Sequence, residues 1–309
     1  MRIREVACGL QFPEGPIAML DGSIVLVEIA RGTLSRVRPD GEIQVLAQLG
    51  GGPNGAAIGP DGAVYVCNNG GFNFVRESDG LLRPAGQAAD YSGGRIERVD
   101  LYTGRCERLY EHVGQKQLRG PNDLVFDAHG GFYFSDFGKV RHGDMDRGGL
   151  YYALADGQKV STIAHPVMTP NGVALAPDGQ TLYYAETEGA RLWSFEILGP
   201  GQVKKIGWPS PQGAKLIAAN PGGYYQRFDS MAVDVLGNLY IASLFHAGIS
   251  VFSPQGTWIS HIPTDDLLTT NLCFGGKDLR TLYITLSGRG QLIAIDDWPI
   301  PGLPLNYEA

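Results

Sequence analysis

Six polar residues recur at one position of an internal repeat: Glu14, Asn54, Asn122, Asn171, Asp229 and Asn271. Each carries a side-chain oxygen. Carboxylate and amide oxygens together suit hard divalent cations, Ca²⁺ first, then Mg²⁺ and Mn²⁺, with Zn²⁺ or Fe²⁺ also accommodated. Two carboxylates neutralise one such ion, and amides complete its coordination without adding charge. Donors this far apart in the chain can meet only if equivalent positions of a repeat surround a common axis.

The elements that would place them follow from the same register. Seven residues after each polar residue comes a turn pair: Asp21-Gly22, Asp61-Gly62, His129-Gly130, Asp178-Gly179, Leu236-Gly237 and Asp278-Leu279. Eleven or twelve residues after it comes a strand-type residue: Val25, Tyr65, Tyr133, Tyr183, Tyr240 and Tyr283. A fixed internal register marks a repeat architecture. Residues 54–68, NGAAIGPDGAVYVCN, read as two apolar strands around a Pro-Asp-Gly turn, and the unit recurs at 122–136, 171–186 and 229–243. Third and fourth strands follow, as in AGISVFSPQGTWISHIP. The pattern predicts an all-β chain, a six-bladed β-propeller with four-stranded antiparallel blades, as one domain over residues 1–309. The sixth unit, from Thr269, has room for three strands before the tail WPIPGLPLN. The strand-like N-terminus, MRIREVACG, is expected to complete the last blade and close the ring, removing exposed sheet edges.

Two stretches interrupt the repeat, residues 69–93 in unit two and 137–148 in unit three. Both follow a second strand, which returns to the end carrying the polar ring, so both should rise over that face. The longer one is expected to act as a lid or binding loop. Residues fourteen or fifteen beyond the ring positions return beside it: Glu28, Asn68, Asp136, Glu186, Ser243 and Leu286. The acidic three, Glu28, Asp136 and Glu186, are candidates to hold the ligands in place or to attract the ion.

The bulk numbers exclude other classes. A formal charge of −7 argues against a general nucleic-acid binder. Cys8, Cys67, Cys106 and Cys273 have no metal-ligand spacing and do not suggest a disulfide framework. The N-terminus lacks an apolar signal core, and no stretch of about 18 apolar residues is present. The expectation is a reduced, cytoplasmic protein, monomer or homodimer, with a small-molecule partner and neither nucleic acid nor membrane.

The segments FPEGP at 12–16, GPNDLVFDAHGGFYFSD at 120–136, TPNGVALAPDG at 169–179 and FDSMAVDVLGNLYIAS at 228–243 resemble the senescence-marker-protein/gluconolactonase/luciferin-regenerating-enzyme family. The resemblance implies one divalent metal at the channel entrance, held by Glu14, Asn171 and Asp229, with Asn122 binding metal or substrate. It implies a gluconolactonase-like carboxylic ester hydrolase that opens a sugar lactone or related cyclic ester. The ion would act as a Lewis acid and acidify a bound water, with Asp229 as the first candidate for the catalytic base and Glu28, Asp136 or Glu186 as alternatives that share the role. A sugar-contacting Arg of some members falls on Gly120 here, and Arg119 is one residue away. Asn54, Asn69, Phe72, Arg119 and His246, with Asn122, are the candidate substrate contacts. His142 also lies near the expected entrance. Three other readings remain: a phosphotriesterase or aryl-ester hydrolase, a lyase or hydratase on the same ion, and a noncatalytic propeller serving as an interaction platform.

Overall fold

The computed structural model describes residues 2–220 and 223–308. Six small antiparallel sheets stand in a ring as the blades of a propeller. Their innermost strands are Pro13–Ala18, Pro53–Ile58, Pro121–Phe126, Pro170–Leu175, Arg227–Val233 and Thr269–Gly275. Every one carries one of the six polar residues. The second strands are buried almost throughout, Ile24–Glu28 and Val64–Asn68 along their whole length. Their largely aliphatic and aromatic content follows, because neighbouring blades cover both faces of each sheet.

The turns explain where the repeat varies. Asp21, Asp61, Asp178 and Asp278 each accept a hydrogen bond from the backbone N–H two residues on. Where the repeat reads His129 or Leu236 instead, an Asp two residues earlier does the same: Asp127 accepts from His129 N, and Asp234 from Leu236 N. The next residue takes a left-handed backbone, which favours glycine. Only in the sixth unit is it another residue, Leu279, at φ 56°.

Six apolar clusters lie between successive blades. The one that joins the ends of the chain contains Ala7, Leu10, Ile24, Leu26, Tyr283 and Leu292. The N-terminal strand Arg2–Cys8 pairs antiparallel with Gln291–Asp296, setting Ile3 opposite Ile295 and Cys8 opposite Gln291. The last blade is completed as its strand count required. Blade four departs from four strands. Its third strand, Arg191–Gly199, carries two short outer partners, Gln202–Lys204 and Lys215–Ala219. Pro209 and Pro211, which have no N–H to give a ladder, lie in the loop that separates them.

Within the longer insertion, Phe72–Arg76 and Leu82–Gln87 form a hairpin of their own. The shorter insertion holds one isolated bridge, Val140 to Met145. Among the described residues no helix is long and apolar enough to cross a membrane.

Candidate functional site

The inner strands of neighbouring blades touch all the way round, first to last. Each breaks register with its partner strand beside the polar residue, for example between Glu14 and Ile17 and between Pro170 and Val173. Such bulges re-aim side chains. Glycine follows the polar residue in blades one, two and four. A Cβ on Gly55 would stand 2.5 Å from Asn122 O, and one on Gly172 would stand 2.7 Å from Asp229 O. The ring is therefore drawn tight by backbone contact, and Glu14, Asn54, Asn122, Asn171, Asp229 and Asn271 are all buried in it.

Glu14 accepts hydrogen bonds from its neighbour Gly15 N at 2.7 Å and from Asn271 Nδ2 at 2.6 Å. Asn271, in register but outside the expected ligand set, thus orients a carboxylate. Asn171 Nδ2 donates to Thr187 Oγ1 at 3.0 Å, which fixes the amide and directs its oxygen elsewhere. The oxygens of Asn122 and Asn171 are buried and have no hydrogen-bond partner.

Sequence reasoning missed a third carboxylate, Asp123. It stands in blade three where blades one, two and four have glycine. That break in the pattern was the available signal. Asp123 is buried and accepts from Leu124 N at 2.9 Å. Burial and then the charge of Glu14 push its carboxyl up to about 7. Burial raises Glu14 as well. Asp229 is raised well above the usual carboxylate range, first by burial and then by Glu14. Among the described residues no Lys or Arg is ion-paired with any of the three. Nor does any trio of acidic, His or Cys side chains gather closely enough to hold an ion unaided. A cation here would need the amide oxygens. Uncompensated carboxylates beside two orphaned buried amide oxygens are a donor set that fits a hard divalent cation.

The acids at the ends of the second strands lie opposite the residue before each ring position: Glu28 pairs with Pro13, Asp136 with Pro121, Glu186 with Pro170. Their carboxylates hold loops. Glu28 accepts from Gln11 N at 2.8 Å and from Ser35 Oγ at 2.6 Å. Asp136 accepts from Arg119 N and Gly120 N, both at 2.7 Å, and from Gly138 N at 2.9 Å. Glu186 pairs with Arg191.

The other candidates are dispersed. Arg119 pairs with Asp146 at 3.1 Å and lies over the Tyr91 ring. Asn69 is buried, and its oxygen accepts from Lys139 Nζ at 2.9 Å. Phe72 lies under that ammonium, 3.8 Å from it. These three join the two insertions rather than the ring. His246 stacks between Tyr224 and His261. His142 is an exposed residue of the shorter insertion.

The longer insertion lies across the entrance. Its Phe72, Phe74, Leu81 and Leu82 form a cluster with Phe12 and Ile29 of blade one, Leu244 of blade five and Leu268, which leads into blade six. Leu82 N donates to Gly288 O at 2.8 Å in blade six, and Gln87 N to Val140 O at 3.0 Å in blade three.

Fold and site together define a six-bladed propeller with an oxygen-donor ring at one mouth of its channel. The family described as SMP-30/Gluconolactonase/LRE-like region matches residues 12–288, and the chain belongs to it. The chain is 28% identical over 256 residues to lactonase drp35 of Staphylococcus saprophyticus, covering 82% of this chain and 70% of that one. It is 25% identical over 316 residues to the gluconolactonase of Zymomonas mobilis, covering 92% and 79%. A calcium-binding protein, regucalcin, from Agrobacterium tumefaciens has the same fold, with a TM-score of 0.73 at 18% identity, covering 96% of this chain and 94% of that one.

Proposed function

We propose that this chain is a metal-dependent hydrolase that opens a lactone at the entrance ring. The relatives named as lactonase and gluconolactonase support the reaction class. The observation that carries the metal reading is the pair of orphaned amide oxygens on Asn122 and Asn171 beside the buried carboxylates of Glu14 and Asp229. Glu14, Asn171 and Asp229, with Asn122, would hold one divalent cation, Ca²⁺ by preference. Such an ion supplies a Lewis acid for the ester carbonyl and makes a nearby water more acidic.

The rest is the work of the chain. Asp229 takes the proton of the water that attacks the lactone carbonyl carbon. The bond from that carbon to the ring oxygen breaks, and Asp229 returns the proton to the departing oxygen, giving the open hydroxy acid. In the metal-free chain, burial and the neighbouring charge of Glu14 raise the proton affinity of Asp229. Asn271 keeps Glu14 turned to the ring, and the apolar cover limits water at the reacting bond.

The test is elemental analysis of purified protein, calorimetric titration of metal-free protein with Ca²⁺, Mg²⁺, Mn²⁺, Zn²⁺ and Fe²⁺, and a lactone panel. About one ion per chain and ion-dependent ring opening are expected. Failure to bind any of these ions would overturn the reading.

A further inference from the structure

Three of the contacts that the blade-two insertion makes lead to one side chain. The first runs through Phe74, whose ring meets Phe12 with centroids 5.3 Å apart. Phe12 is buried and stands two residues before Glu14. The second runs through Leu268, which packs in the same apolar cluster as Phe74 and Leu81. Leu268 leads into the strand Thr269–Gly275, whose Asn271 donates to Glu14 Oε2 at 2.6 Å. The third runs through Gly288, whose carbonyl accepts from Leu82 N at 2.8 Å. A Cβ at Gly288 would stand 2.9 Å from Leu81 Cγ, so this glycine seats the leucine. The neighbouring Ser287 hydroxyl donates to Pro13 O and lies within hydrogen-bond reach of Thr270 Oγ1. Pro13 and Thr270 are the residues just before Glu14 and Asn271.

The segment that carries Phe12 depends on such contacts. Phe12 sits at φ 57°, a region that L-residues rarely adopt and bulky ones least of all. A backbone of this kind persists only where its surroundings enforce it. Here they are the bonds from Ile29 N to Phe12 O at 3.0 Å and from Ala30 N to Gln11 O at 3.1 Å, and the Phe74 ring. Asp266 ties the blade-six side together. It is fully buried and accepts from Leu268 N and Arg289 N, both at 2.8 Å. The two segments that aim the Glu14 carboxylate, residues 12–14 and 268–271, are thus both packed against the insertion.

We propose that Phe74 and Leu81 are positioning residues for Glu14, so that the insertion holds one ring carboxylate in place as well as covering the mouth. The proposal rests on the metal reading above only for what Glu14 is held to receive. Coupling is reciprocal: a cation on Glu14 holds the insertion down by the same factor by which the closed insertion strengthens cation binding. Loosening the insertion at its other end, at Lys139, leaves Glu14 in place as long as the closed form predominates.

Amide hydrogen exchange in the intact chain tests this without and with Ca²⁺. Gly15 N–H donates to Glu14 Oε2 at 2.7 Å and reports whether that carboxylate keeps its place. Leu124 N–H donates to Asp123 at 2.9 Å, away from the three contacts, and is the control. In metal-free Phe74→Ala, Gly15 should exchange about tenfold faster and Leu124 at its normal rate, because the loss is local. Phe74→Leu keeps an apolar side chain against Phe12 and should return Gly15 to within about threefold of the parent chain. The Phe74 ring is half-buried on a hairpin outside the blades, so both variants should fold. Calorimetric titration should show Ca²⁺ binding about tenfold more weakly to Phe74→Ala. In the parent chain Ca²⁺ should slow exchange at Leu82 N–H about tenfold. Unchanged exchange at Gly15, or equal acceleration at Gly15 and Leu124, would overturn the positioning role. Acceleration at Gly15 with unaltered Ca²⁺ affinity would overturn its link to the cation. Acceleration at Gly15 in a chain that binds no Ca²⁺ at all would refute the metal reading and leave the positioning of Glu14 standing.

Discussion

At the residue scale, the ring is a concentration of negative charge that protein groups leave uncompensated. Asp229→Asn keeps the shape of the side chain and removes both a charge and the proposed base. Turnover should fall by roughly 10²–10⁴-fold with the fold retained. Near-normal rates in metal-saturated variant would end the assignment. The carboxylates also set a pH dependence. Asp123 is pushed up to about 7, and Glu14 and Asp229 are raised too, each first by burial. Raised folded-state values mean that the metal-free folded chain binds more protons than the unfolded chain between about pH 4 and about pH 7. Its stability should therefore fall as pH rises through that window. A cation displaces those protons, so its stabilisation should grow across the same window. Melting temperatures with and without Ca²⁺, at pH 5 and pH 8, test this. The larger increment is expected at pH 8, and equal increments would show that these acids are not the ligands.

At the element scale, two insertions from different blades act as one cover, and Lys139 is their clasp. Its buried ammonium donates to Asn69 Oδ1 and Gly71 O, both at 2.9 Å, and lies over the Phe72 ring. Burial pushes Lys139 down to about 7 in spite of nearby Asp136. From Phe72 the contacts run through Phe74 to Phe12, two residues before Glu14. Lys139→Met fills the same space without the charge or the donors. Hydrogen bonds from a charged group contribute about 1.5–3 kcal/mol, so the amides of Leu82 and Gln87 should exchange with solvent tenfold faster or more. Calcium affinity should change little. Unchanged exchange would mean that the aromatic cluster alone holds the cover. The insertion and its place over the mouth were legible, because a segment after a second strand must emerge at the ring end. Lys139 was not, since its partners lie about seventy residues away and meet it only when the ring has closed. For the same reason Glu28 and Asp136 could be placed beside the ring by register, while their backbone partners could not be named. Asp123 was hidden differently: a repeat draws the eye to the recurring position, and this residue stands one step from it.

At the scale of the whole molecule, the channel has a second end, and the C-terminal tail crosses it. Trp298 Nε1 donates to Tyr240 OH at 3.0 Å, Gly302 N to Leu279 O at 2.8 Å, and Leu303 N to Val233 O at 2.9 Å. Farther on, Asn306 Nδ2 donates to Phe126 O at 2.8 Å, and Tyr307 packs edge-on against Phe126 with centroids 5.6 Å apart. Val233 and Phe126 end inner strands, so these contacts lie at the opposite end of those strands from the ring. Blade number and closure could be read from the repeat because each blade repeats the same register. The course of the tail could not, because it has no period and its prolines show only that it is not a ladder strand. Its separation from the ring yields a sharp expectation. Deleting residues 301–309 removes the packing of Leu303 and Tyr307 and leaves backbone carbonyls of blades three, five and six to water. Stability should drop by roughly 2–4 kcal/mol, measured by denaturant titration of the calcium-free protein. Calcium affinity, measured by calorimetry on the folded variant, should stay within about threefold of the full chain, since that is under 1 kcal/mol of binding energy. If affinity collapsed while the blades stayed folded, the tail would be setting the spacing of the inner strands along their whole length, and the ring would owe its geometry to both ends of the channel.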